Sequence, residues 1–245
     1  MRFPKKKPFY ECFASRLCSL KRQFSRCEPK RYKDEDDAER RVARMRQYVI
    51  QRVKGAPDWS AVPSLEIDIP YFDTPNDIFA HAQIAYDDDA LYVHLSTEEK
   101  EIRAVEKGLL GAPCEDSCLE FFFSPMAGDD RYFNLEFNTN GCMYLGFGDC
   151  IETIVRLIVP NIEDILLPKI VKKEGAWEIT YQIPYTFIRR FFPDFTVYAG
   201  KEMRANCYKC ADFSKPPHYL SWNKVEGEPF KFHKPRCFGL MTFSK

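Results

Sequence analysis

Several groups of side chains in this 245-residue chain have types and spacings that could do chemistry. Glu120 and Glu136 come first. Two acids held about 5–10 Å apart can work as acid and nucleophile, or acid and base, on a glycosidic bond. No further signature of catalysis accompanies them, and acidic pairs are common on solvated strands. Cys207-Tyr208-Lys209-Cys210 has the spacing of a zinc knuckle, but a tetrahedral site needs a second such pair. Positions three apart on a regular strand face opposite sides, so these thiols read as small core residues. Asp87, Asp88 and Asp89 offer the hard oxygens that calcium takes, in a turn without an EF-hand loop. His81, His94, His218, His233 and six methionines supply haem-ligand types, but no spacing selects a pair.

A second set has the types that hold a sugar. A pyranose presents an apolar C–H side to a flat ring and hydroxyls to planar polar groups. Trp222, Tyr219, Glu120, Asn134, Glu136, Asn138, Arg204 and Asn206 fit that description. Trp222 sits in a loop-like stretch among His218, Ser221 and Asn223, where rings often serve ligands. Trp59 and Trp177 lie in strand-like or capping contexts and read as packing. Glu120 interrupts an apolar run, and a buried carboxylate needs a partner. That partner is either a ligand or, in a structural pair, Arg204.

The elements that must position these groups are short strands. His81–Ala85 and Leu91–Leu95 flank the Asp87-Asp88-Asp89 turn as a hairpin. Ser117–Ser124 and Arg131–Asn138 flank Pro125, Gly128, Asp129 and Asp130 as a second one. Cys142–Phe147 follows Asn140-Gly141. Gln47–Val53, Thr153–Val159, Lys169–Lys173, Trp177–Ile183, Met203–Cys210 and Phe238–Phe243 complete the strands. One short helix is expected at Tyr185–Phe192, between Pro184 and Pro193. Many short antiparallel strands with one minor helix predict an all-β sandwich of jelly-roll type.

One register follows from the pattern. Leu119, Phe121 and Phe123 share a strand face, as do Phe133, Leu135 and Phe137. Facing these sets together leaves Glu120 and Phe122 beside Tyr132, Asn134, Glu136 and Asn138 on the other face. A slip of one residue would bury Asn134 and Glu136 against Leu119 and Phe121, so the register is strongly specified.

Composition narrows the classes. The net charge is zero, but residues 1–44 hold 14 Lys/Arg against 7 Asp/Glu, and the remainder 22 against 29. An acidic body is not the footprint of a nucleic-acid binder. The basic segment lacks alternation and is expected to be a flexible extension, or to lie upstream of a native start at Met45. Residues 45–245 form the expected domain. No run reaches the ~18 apolar residues of a membrane span, and no apolar stretch follows Lys5, Lys6 and Lys7 as in a signal peptide. With a sizeable core available, the ten cysteines are expected as free thiols in the cytoplasm.

The stretches Glu115–Phe123, Arg131–Asn138 with Gly141, Trp177-Glu178 through Ile183-Pro184-Tyr185, Arg204–Tyr208, His218–Asn223 and Phe238-Gly239 resemble the family 9 carbohydrate-binding modules. Trp59 matches a tryptophan usual near the domain start. The likeness covers about residues 45–245, in order. It implies a β-sandwich that binds oligo- or polysaccharides by ring stacking, without catalysis, and in which structural calcium is common. Its relatives are often joined to xylanases and other glycoside hydrolases. In sugar-binding members a ring covering one sugar face commonly lies six residues before the glutamate matched by Glu120; here that position is Cys114. Sandwich domains of the DOMON type, which hold haem between Met and His, are the alternative of another class.

Overall fold

The computed structural model describes residues 45–245; the basic segment 1–44, expected as an extension, lies outside the described residues. The strands are β1 (Gln47–Arg52), β2 (Leu65–Glu66), β3 (Ile69–Tyr71), β4 (Phe79–Tyr86), β5 (Ala90–Glu98), β6 (Cys118–Ser124), β7 (Tyr132–Asn138), β8 (Met143–Gly148), β9 (Val155–Arg156), β10 (Lys169–Lys173), β11 (Ala176–Pro184), β12 (Glu202–Ala211), β13 (His218–Ser221) and β14 (Gly239–Phe243). Two short helices join them, α1 (Ile162–Leu166) and α2 (Tyr185–Ile188).

These strands make a β-sandwich. In the front sheet β12 pairs with β6, and β6 is followed by β7, β8 and β9. On its other side β12 pairs with β14 at one end and β13 at the other, and β13 carries β3. The back sheet runs β10-β11-β5-β4, with β2 on β4. β1 links the two: Gln47–Ile50 lie parallel to β14, and Gln51–Arg52 parallel to β4. The remaining pairs are antiparallel, so the sheet is mixed only through this one strand.

The register at the centre follows the hydrophobic pattern. Leu119 pairs with Phe137, Phe121 with Leu135 and Phe123 with Phe133, all inside the sandwich. Phe123 stacks on Phe121 and on Phe133, each at 5.2 Å. Ile84, Leu91, Val93, Leu95, Ile179, Tyr181 and Ile183 meet them from the back sheet. Each fully buried side chain of this size stabilises by about 1.5–3 kcal/mol, so a register slip would be very costly.

Local differences from the sequence reading have physical causes. The helix expected at Tyr185–Phe192 stops at Ile188, and the chain tightens into turns with Arg190 N–H on Phe187 O and Phe191 N–H on Ile188 O. Those turns send Phe187, Phe191 and Phe192 onto Phe133. The strand expected at Thr153–Val159 is only Val155–Arg156. The stretch His218–Asn223, read as loop-like, supplies strand β13. Its alternation was hidden because the inward residue His218 is polar and the outward one, Tyr219, is aromatic. Among the described residues all seven cysteines are free thiols, and no helix is long and apolar enough to cross a membrane.

Candidate functional site

The outer face of the front sheet is built as rungs of cross-strand neighbours. One rung runs Tyr219, Cys210, Cys118, Asn138 across β13, β12, β6 and β7. The next runs Tyr208, Glu120, Glu136, Tyr144 across β12, β6, β7 and β8. The third runs Asn206, Phe122, Asn134, Gly146, Arg156 from β12 to β9. Alternation along each strand puts all these side chains on the face opposite the main core.

From the sequence, this face is expected to be the polar one; every residue of β6 and β7 is nonetheless buried. The segment after β13 folds over it: Val225, Phe232 and Phe238 form a second apolar cluster with Phe122, Tyr132 and Tyr208. Phe232 stacks on Tyr208 at 4.1 Å. Ile154 closes on the same cluster from the loop before β9. Partly exposed Cys114, Tyr144, Arg156 and Asp212 lie around the polar groups that remain.

Glu120 and Glu136 are direct register partners and nearly buried, at 3% and 6% exposure. Cys210 Sγ donates to Glu120 Oε1 at 2.8 Å, and Asn134 Nδ2 donates to Glu136 Oε1 at 2.7 Å. Burial raises the Glu120 carboxyl to about 7, and the charge of Asp212 adds to this. Burial and the neighbouring Glu120 push Glu136 well above the usual carboxylate range, against the pull of Arg156. Asp212 is also raised by burial, opposed by its bond from Tyr219. Two acids this close resist holding two charges.

Arg156 donates to Gly111 O at 2.5 Å, and its guanidinium lies 4.3 Å from the Tyr144 ring centre. Gly146 beside Asn134 carries no side chain, and a Cβ there would lie 2.2 Å from Asn134 Oδ1. That close approach is the reason for glycine at this rung.

The other expected sugar-contacting residues fall into different places. Trp222 is 3% exposed within the main core, its ring over Gly239, where an added Cβ would meet it at 2.5 Å. As a platform it would have to leave the core. Asn206 bridges to Asn223 through both amide atoms, Nδ2 to Asn223 O and Oδ1 from Asn223 N–H, each 2.8 Å. Asn138 donates to Asp116 Oδ2 at 2.6 Å and accepts from Asn140 and Cys142 N–H, which holds a turn. Arg204 donates to Arg236 O at 3.0 Å. Tyr219 stands edge-on to Phe72 at 5.6 Å, at the Asp212 end of the face. Trp177 is core and donates Nε1 to Ser117 Oγ at 2.8 Å, whereas Trp59 is partly buried against His94.

Five of the other ligand-type groups have protein partners. Asp87 accepts from Asp89 N–H, Ala90 N–H and Tyr92 Oη, and Asp88 pairs with Arg52. His94 bonds Gln83, His218 approaches Lys209 and Glu99, and His233 bonds Tyr132. Cys207 faces the main core and Cys210 the second cluster, as strand geometry requires. Arg156, Tyr144 and Asp212 were missed by the sequence reading. The one signal for Arg156 was a lone basic residue within the apolar run Ile154–Val159.

Residues 58–243 match the sequence profile of carbohydrate-binding family 9. The crystal structure of a proposed carbohydrate-binding protein from Bacteroides uniformis superposes with a TM-score of 0.70 at 28% identity, covering 82% of this chain and 100% of that one. Two structures of a family 9 carbohydrate-binding module from Caldicellulosiruptor kristjanssonii, one with glucose and one with cellotriose, superpose with TM-scores of 0.60 and 0.59. Each is 13% identical, covers 81% of this chain and is covered over 96% or 94% of its own length, a likeness of fold alone. The chain matches no curated protein sequence.

Proposed function

The chain belongs to carbohydrate-binding family 9, and on that premise we propose that it binds a saccharide, without catalysis, over the rung Glu120–Glu136–Tyr144. One observation carries the placement. This rung sets two carboxylates beside a partly exposed ring, with an amide and a guanidinium on the rung below. The carboxyl groups accept hydrogen bonds from sugar hydroxyls, and the Asn134 amide and Arg156 guanidinium donate to sugar oxygens. Tyr144, backed by Arg156, offers a flat face to the C–H side of a pyranose. Glucose and cellotriose in the Caldicellulosiruptor kristjanssonii module support a glucose-type ring or short β-linked chain as the ligand to try first.

The test is calorimetric titration of glucose, cellobiose and cellotriose into the reduced, metal-free chain and into Glu136→Gln. Glu136→Gln keeps the shape and replaces one carboxyl oxygen by an amide NH2, so affinity should fall by about 1 kcal/mol. No binding of any of the three sugars at millimolar concentration, or equal binding by a folded Glu136→Gln chain, would overturn the proposal.

A further inference from the structure

Two thiols meet on the same face of the front sheet, with Cys114 beside them. Cys118 and Cys210 are direct register partners on β6 and β12, and Glu120 follows Cys118 by two residues on the same side. The Cys118 and Cys210 sulfurs and a Glu120 carboxylate oxygen all lie within 4.8 Å of one another, with all three residues buried. Cys114 borders them, its carbonyl oxygen 3.8 Å from Cys210 Sγ. Cysteines used only as small apolar filler have no need of a carboxylate in their midst, and a buried carboxylate is costly without a cation. Lys209 lies on the opposite face of β12, where it approaches Glu99.

We propose that Cys118, Cys210 and Glu120 form a binding site for a thiophilic divalent ion such as zinc, with Cys114 or water as the fourth ligand. Two sulfurs and a carboxylate oxygen suit a borderline-soft d10 ion and exclude calcium and magnesium, which take oxygens. A tetrahedral zinc holds its ligand atoms about 4 Å apart, close to the spacing of within 4.8 Å found here. On binding, the ion exchanges hydration waters for two Zn–S bonds and one Zn–O bond, its fourth bond being to Cys114 sulfur or to a retained water; the proton of each ligating thiol, and any proton on Glu120, passes to the buffer. The ion places positive charge beside Glu120 and Glu136. The pair differs from the Cys207–Cys210 spacing in the sequence: the partner of Cys210 is reached across strands, 92 positions away, and Cys207 points into the main core.

The site shares Glu120 with the saccharide face but does not depend on sugar binding, and its test contains no sugar. The reduced full chain, stripped with a chelator, is titrated with cobalt(II) and then zinc(II). The expected result is thiolate-to-cobalt charge-transfer absorption with tetrahedral visible bands, saturating at one equivalent and displaced by zinc. The signal should persist when Cys12, Cys18 and Cys27 are all replaced by Ser. It should vanish in Cys118→Ala/Cys210→Ala, and Glu120→Gln, which keeps the shape, should weaken zinc by tenfold or more. Near-ultraviolet circular dichroism establishes that each variant is folded. Absence of a thiolate band in the wild type overturns the site. So does a band unchanged in the folded double variant, or equal zinc affinity in Glu120→Gln.

Discussion

Lys209 Nζ lies 3.3 Å from Glu99 Oε2, inside the sandwich, with the two side chains 0% and 2% exposed. His218 Nε2 completes the group, 2.9 Å from Lys209 Nζ and 3.2 Å from Glu99 Oε2. His218 Nδ1 donates to Pro216 O at 3.1 Å. Ser117 Oγ donates to Glu99 Oε1, and Trp177 Nε1 in turn donates to Ser117. This network ties β12, β13 and β6 to the end of β5. Glu99→Gln leaves the Lys209 ammonium buried without its counter-charge. Equilibrium urea unfolding at pH 7 should show a loss of about 3–5 kcal/mol. A loss under 1 kcal/mol would mean the pair contributes little.

The same group sets an acid limit. Burial by itself would raise the Glu99 carboxyl, but Lys209 and the bonds from His218 and Ser117 outweigh it and hold the carboxyl at about 2, below its ordinary 4.5. The unfolded chain therefore takes up this proton first as pH falls. The resulting stability, about 3 kcal/mol, is complete above pH 4.5 and is lost as pH drops from 4.5 towards 2. Unfolding free energies measured across that window should fall more steeply for wild type than for Glu99→Gln. Parallel curves would rule the assignment out.

Trp222→Ala should act through the core. The indole fills the space over Gly239, and its removal leaves a cavity worth about 3–5 kcal/mol. Any sugar affinity that survives in the folded fraction should be within a few-fold of wild type. Full stability with abolished binding would restore Trp222 as a ligand platform.

Gly146→Ala tests the rung below the carboxylates. The added methyl meets Asn134 Oδ1 at 2.2 Å and the Tyr144 ring at 2.7 Å, so both must shift. Overpacking of this kind costs about 1–3 kcal/mol. Thermal unfolding should show it, and Asn134→Ala in the same chain should recover part of the loss. No recovery would place the strain elsewhere.

Tyr144→Ala separates ring stacking from polar contacts. Tyr144 is partly exposed, so its loss leaves the main core filled. Sugar affinity should fall by about 1–2 kcal/mol, with a melting temperature within a few degrees of wild type. Unchanged affinity would move the stacking ring to another residue, such as Tyr219.

Much of the fold was legible in the sequence, because strand periodicity is a local property. Leu119, Phe121 and Phe123 against Phe133, Leu135 and Phe137 admit one register, and the structure adopts it. That register alone brought Glu120 beside Glu136. What the sequence left open depends on contacts far apart in the chain. Whether the polar face meets water was decided by residues 223–238, which fold back to lay Phe232 on Tyr208. Trp222 looked available because its neighbours are polar, but those neighbours are held by long-range bonds: Ser221 Oγ to Tyr71 Oη, and Asn223 to Asn206 and Cys237. Cys210 has a sequence neighbour of ligand type in Cys207, yet period-two alternation turns the two apart. Only the pairing of β12 with β6 gives Cys210 its companions, Cys118 and Glu120. Hydrophobic alternation thus set which face each side chain occupies, while strand order and loop closure decided which side chains share that face and whether solvent reaches them.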